Sequence, residues 1–121
     1  MLSLPSSVRI FLATEPTDMR CGHDGLHFQV RRLGHDIFAG HLYVFVSKKR
    51  NRIKILMWSA GGFVMLYKRI ERGRFIMPRL ERGQPTVQLD ATQLTLLLDG
   101  IDFSRVRRPV HWQPNRRQQG P

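Results

Sequence analysis

Acidic residues are scarce in this chain. Nine Asp and Glu stand against 20 Lys and Arg in 121 residues, a formal charge of +11 with a pI near 11.4. Nucleases and transposases of the two-metal type need several converging carboxylates. Here Asp18 and Asp90 have helix-capping roles available, and Asp99 and Asp102 flank a helix end. Cysteine is nearly absent too. The single thiol, Cys21, excludes an intramolecular disulfide and a thiolate zinc site. Cys21 with His23 lacks a third group to orient a nucleophile and its base. His23 and His27 stand four apart, a spacing two metal-bound imidazoles can use. No Glu lies between them in the metalloprotease arrangement, and no third ligand is apparent. No glycine-rich phosphate loop of the Walker kind is present, and Gly61-Gly62 follows a strand without a helix behind it. These absences point away from an enzyme and imply neither cofactor nor metal.

Long apolar runs are missing as well. The N-terminus lacks the positive n-region and small-residue cleavage site of a signal peptide. No segment approaches the ~20 apolar residues of a spanning helix. The expectation is a soluble cytoplasmic protein without a membrane partner.

What is present is a 41% hydrophobic fraction, enough for one core in a chain of this size. Charge is distributed in blocks. Residues 1–47 are net zero, residues 48–82 are net +9, residues 83–104 are net −3, and residues 105–121 are net +5. So lopsided a balance calls for a polyanionic partner, nucleic acid first. The boundaries read as one α+β domain over residues 1–104 followed by a basic, disordered tail over 105–121.

Val8 to Ala13 reads as a short strand between Pro5 and Pro16. Thr17 or Asp18 is expected to cap a helix whose apolar stripe is Met19, His23, Leu26, Val30 and Leu33, with Gly34 as its stop. A three-strand antiparallel meander follows: Leu42 to Ser47, Arg52 to Trp58 and Phe63 to Ile70. These strands are apolar on both faces over much of their length, so helices should cover one side of the sheet. Gly73, Pro78, Gly83 and Pro85 leave room for a loop, or a short edge strand through Phe75 to Met77. Asp90 caps a second helix, Ala91 to Leu98, stopped by Gly100.

The candidate nucleic-acid surface is the basic meander. Lys48, Lys49 and Arg50 occupy a hairpin tip, and Arg52 and Lys54 follow on one face of the next strand. Such a tip can reach a phosphate backbone or a groove, a reading that the charge balance favours over a merely solvated turn. Lys68, Arg69, Arg72 and Arg74 form a second cluster around Gly73, where guanidinium forks could bind phosphate or pair with Glu71 and Glu81. Tyr67 or Phe75 could stack a base or belong to the core. Antiparallel pairing should merge the two clusters into one patch. Arg105, Arg107 and Arg108 begin a basic arm that would add salt-sensitive affinity.

Several segments together resemble a known family. They are Leu4-Pro5-Ser6-Ser7-Val8-Arg9-Ile10, Thr17-Asp18-Met19-Arg20, Asp24-Gly25-Leu26, Gly40-His41-Leu42-Tyr43-Val44-Phe45 and Arg52-Ile53-Lys54-Ile55-Leu56. The likeness is sharpest from Lys68 to Phe75 and ends with Gln93-Leu94 and Leu97 to Asp102. In order, these resemble the TnpB accessory proteins of the IS66 class of bacterial insertion sequences, over about four-fifths of the chain. The resemblance implies a bacterial, nucleoid-associated protein encoded beside a DDE-type transposase and needed for efficient transposition. It supplies no catalytic residues. Two roles stay open: DNA binding at or near the element's ends, and an adaptor that docks an acidic surface of the transposase. RNA binding is a third.

Overall fold

The computed structural model describes residues 5–102. Among them, five strands form one mixed sheet in the order β4-β3-β2-β1-β6, and two short strands, β5 and β7, form a ribbon. The elements are β1 (Ile10–Ala13), α1 (His23–Arg32), β2 (Leu42–Val46), β3 (Arg52–Ser59), β4 (Gly62–Arg69), β5 (Arg74–Phe75), β6 (Thr86–Leu89), α2 (Ala91–Asp99) and β7 (Ile101–Asp102). The fold is α+β, as expected.

The meander is present, with β2, β3 and β4 antiparallel. Two features extend the expectation. β1 joins β2 in parallel, a pairing that needs a crossover, and α1 supplies it. β6, which the Pro- and Gly-rich surroundings concealed, pairs antiparallel with β1 and makes the far edge.

Both faces of the sheet's central strands are covered, not one. Ile10, Leu12, Val44, Val46, Ile53 and Ile55 pack with Leu94 and Leu97 of α2 and with Phe75 of β5. On the other face Ala13, Tyr43, Phe45 and Leu56 pack with Leu26 and Val30 of α1 and with Ile37. All five residues of the central strand β2 are therefore buried, the pattern expected where two layers sandwich a strand.

The helix ends follow local rules at three of four termini. Asp90 accepts from the Gln93 N–H while the Gln93 side chain accepts from the Asp90 N–H, a complete capping box. Gly100 closes α2. At the end of α1, Gly34 takes φ +84, its N–H reaches the Arg31 carbonyl, and the His35 N–H reaches the Val30 carbonyl. That is a Schellman closure, which a left-handed glycine permits. The start of α1 departs from the expectation. The helix begins at His23 with Gly22 at its N-cap and no side-chain cap. Neither Thr17 nor Asp18 caps it: the helix starts five residues beyond Asp18, whose carboxylate bonds Arg20 instead.

Candidate nucleic-acid interface

The β2–β3 connection is a tight turn. The Arg50 N–H donates to the Ser47 carbonyl, and the Ser47 hydroxyl accepts from the N–H groups of Asn51 and Arg52 at 3.3 and 3.1 Å. Lys48, Lys49 and Arg50 are exposed at its tip. Arg50 has φ +59, a left-handed conformation that favours glycine or asparagine.

The second basic run is bonded onto this turn. The Ile70 N–H donates to the Asn51 carbonyl at 2.9 Å, and the Phe75 N–H donates to the Arg50 carbonyl. Phe75 itself is core, 1% exposed, which fixes Gly73 and Arg74 beside the tip. In the β3–β4 ladder Arg52 lies directly opposite Arg69, on the same face. Like charges placed so are unfavourable to each other. Arg69 is offset by Glu71 at 3.0 Å. Among the described residues Lys48, Lys49 and Arg52 have no carboxylate partner. The two runs meet at one end of the sheet.

Not every cation of the two runs is on that surface. Lys54 shares its strand face with Arg52, but the β1–α1 loop covers that face at its position. Only 7% of it is exposed, and its ammonium donates to the Met19 and Cys21 carbonyls at 2.6 and 2.7 Å. It also sits 5.2 Å from the Tyr67 ring centre. Lys68 points to the opposite face, donates to the Leu98 carbonyl at 2.6 Å and lies 4.0 Å from Asp99. Arg74 is 3.9 Å from Asp102. Arg72, half-buried, has interactions of its own. Arg105, Arg107 and Arg108 lie outside the described residues.

Sequence reasoning passed over two further cations. Arg79 and Arg82 are exposed in the connector before β6. Because Thr86 pairs with Ala13, and β1 runs parallel to β2, that connector arrives at the same end of the sheet as the Lys48–Arg50 tip. The signal for them was the +9 block itself, which includes both.

At this end Arg20 binds the Asp18 carboxylate through both guanidinium and backbone N–H, with a shortest contact of 2.6 Å. The side-chain bond from Arg20, then its backbone bond, hold the Asp18 carboxyl at about 2, against an ordinary value of 3.8. The opposite end of the sheet is uncharged from Ser59 to Tyr67 and aromatic. Trp58, Phe63, Phe38 and His27 pack there with ring centres 4.8–5.4 Å apart. Burial, then nearby Asp36, push the Tyr43 hydroxyl up. Among the described residues no group of three or more His, Cys, Asp or Glu could hold a metal ion. No described helix is long and apolar enough to cross a membrane.

The family model described as IS66 Orf2 like protein matches residues 8–108. The chain is similar to the protein y4hO of Sinorhizobium fredii, described as uncharacterized. The two are 37% identical over 119 residues, covering 96% of this chain and 98% of that one. It is also similar to y4jC of the same organism, likewise described as uncharacterized, at 31% identity over 117 residues with the same coverage. No solved structure matches the chain.

Proposed function

The chain belongs to the IS66 Orf2-like family, and from that premise we propose that it is a non-catalytic accessory protein of insertion-sequence transposition that binds DNA through the cationic end of its sheet. Its partners in this reading are duplex DNA, at the element's ends or elsewhere, and the DDE-type transposase of the same element, in the bacterial cytoplasm.

One observation carries the DNA reading. Arg52 lies directly opposite Arg69, Lys48 and Lys49 stand exposed on the turn before it, and neither Arg52 nor the two lysines have a carboxylate partner among the described residues. Such crowding opposes folding until an anion neutralises it, and a phosphate backbone brings anions at the density required. Arg50 adds to this. A cation held where the backbone favours glycine costs about 1 kcal/mol, and strain of this kind collects at functional sites. The arm from Arg105 onward adds charge by composition alone.

The test is a salt titration of binding to an element-end fragment and to a scrambled fragment. The triple variant Lys48→Ala, Lys49→Ala, Arg52→Ala should bind both fragments more weakly. Its log–log salt slope should be shallower by about two to three, because each phosphate contact contributes close to one. An unchanged slope would remove the β2–β3 turn as the DNA surface. A parent protein that ignores DNA at about 50 mM salt, yet binds the transposase, would favour the adaptor role instead.

A further inference from the structure

We propose that the outer edge of β4 docks a second copy of this chain, strand against strand and antiparallel, joining two sheets into one. β4 ends the sheet, and among the described residues no strand pairs with its outer side. It is eight residues long, whereas β6 at the other edge has four. Edge strands of this length are normally guarded by a charge, a proline or a bulge. From Gly62 to Tyr67 this one carries no such guard. Its apolar side chains are exposed instead, Val64 by 46%, Leu66 by 44% and Tyr67 by 49%.

The uncharged, apolar stretch from Gly62 to Tyr67 is self-complementary, which fits a second copy, and charge fixes that copy's orientation. A chain of formal charge +11 repels itself, so self-association needs a contact that keeps the cations apart. A parallel pair would set Lys68 and Arg69 beside their own copies and bring the two basic ends together. An antiparallel pair about a two-fold axis perpendicular to the sheet sends those ends to opposite sides. Such an axis keeps each face continuous, so opposed residues must share a face. Centring on Met65 meets this condition. Met65 then opposes Met65 of the second copy, Val64 opposes Leu66, Phe63 opposes Tyr67, and Lys68 opposes Gly62. Every apolar side chain finds an apolar one, and no cation faces a cation. The two Arg69 residues would stand about eight residues apart along the strands, roughly 27 Å, well beyond the ~8 Å screening length of physiological salt. The pairing does not depend on DNA binding.

Two measurements on the full-length protein test it, both in high salt to strip nucleic acid. Sedimentation across a micromolar concentration range should show a monomer–dimer equilibrium. Leu66→Lys and Val64→Lys should each leave a monomer whose circular dichroism and melting match the parent at dilutions where the parent too is monomeric, because both side chains are exposed in the single chain. In a Cys21→Ser background, Met65→Cys should oxidise to a covalent dimer, since opposed strand residues lie within disulfide reach. Leu66→Cys, offset from its own copy in this register, should cross-link far less. A parent that stays monomeric at about 100 μM would overturn the proposal. So would a dimer that survives both lysine variants, or Met65→Cys that cross-links only to added transposase.

Discussion

Asp18 and Arg20 form an exposed pair, with side chains 51% and 92% accessible, yet the bond is chelated and short. Asp18 is depressed to about 2 from 3.8. A carboxylate whose folded value is lowered contributes stability that is complete above 3.8 and is lost as pH falls through about 2. Arg20→Ala should return the Asp18 carboxyl toward 3.8, read by NMR titration of its side chain, and stability should change little because the pair is solvated. Lys54 is the reverse case, a buried cation with a structural task. It ties the Met19 and Cys21 carbonyls of the β1–α1 loop to the sheet. Lys54→Met keeps the stem but orphans both carbonyls, and should lower unfolding stability by about 1–3 kcal/mol in a denaturant melt. The salt slope for DNA should stay unchanged in that variant, because the buried ammonium is bonded away from solvent. A slope that drops by one would put Lys54 back on the contact surface.

At the scale of elements, the β3–β4 hairpin shows how a turn departs from its best residues. The strands reach Ser59 and Gly62, leaving a two-residue loop of Ala60 and Gly61 with φ +50 and +80. Positive φ at both central positions is the turn that matches the right-handed twist of flanking strands, and it prefers Asn-Gly. Alanine pays a steric cost there that asparagine largely avoids. Ala60→Asn should therefore stabilise the protein by about 0.5–1 kcal/mol, visible as a raised melting temperature. A neutral or lowered value would mean that the turn relaxes in solution. The β2–β3 turn has the same kind of strain at Arg50, but there the side chain belongs to the cationic end. The two turns of one meander thus differ in what their strained residue contributes.

The whole molecule is polarised. Cations of the 48–82 block gather at one end of the sheet, and an uncharged aromatic cluster occupies the other. This bears on how the salt titration divides. Deleting residues 105–121 removes five arginines and should weaken binding, but the truncated protein should retain the slope component that the Lys48, Lys49 and Arg52 changes abolish. Loss of all binding on truncation would assign the DNA contact to the arm. If β4 pairs with a second copy, a dimer presents two basic ends facing opposite ways along one extended sheet. Slopes measured above and below the dimerisation midpoint should then differ, while the triple variant shallows both.

Much of this was legible in the sequence because it rests on local physics. The meander follows from β-branched and aromatic runs separated by short turns, and α2 from Asp90 as its cap and Gly100 as its stop, signals that act locally. The net charge and its blocks are composition. Antiparallel pairing of the two basic runs is legible as well, and it sets Arg52 opposite Arg69, while Lys54 and Lys68 leave that patch. What the sequence could not decide depends on residues far apart in the chain. Alternation placed Lys54 on a face, but only the β1–α1 loop folding over that face buried it. Lys68 looked like a neighbour of Arg69, yet successive strand residues point oppositely, and the end of α2 claims it. Asp18 resembles a cap, but its carboxylate bonds Arg20 and the helix starts only at His23. Whether a strand face meets water, a loop or a helix is set by what packs on it, and that is a tertiary decision.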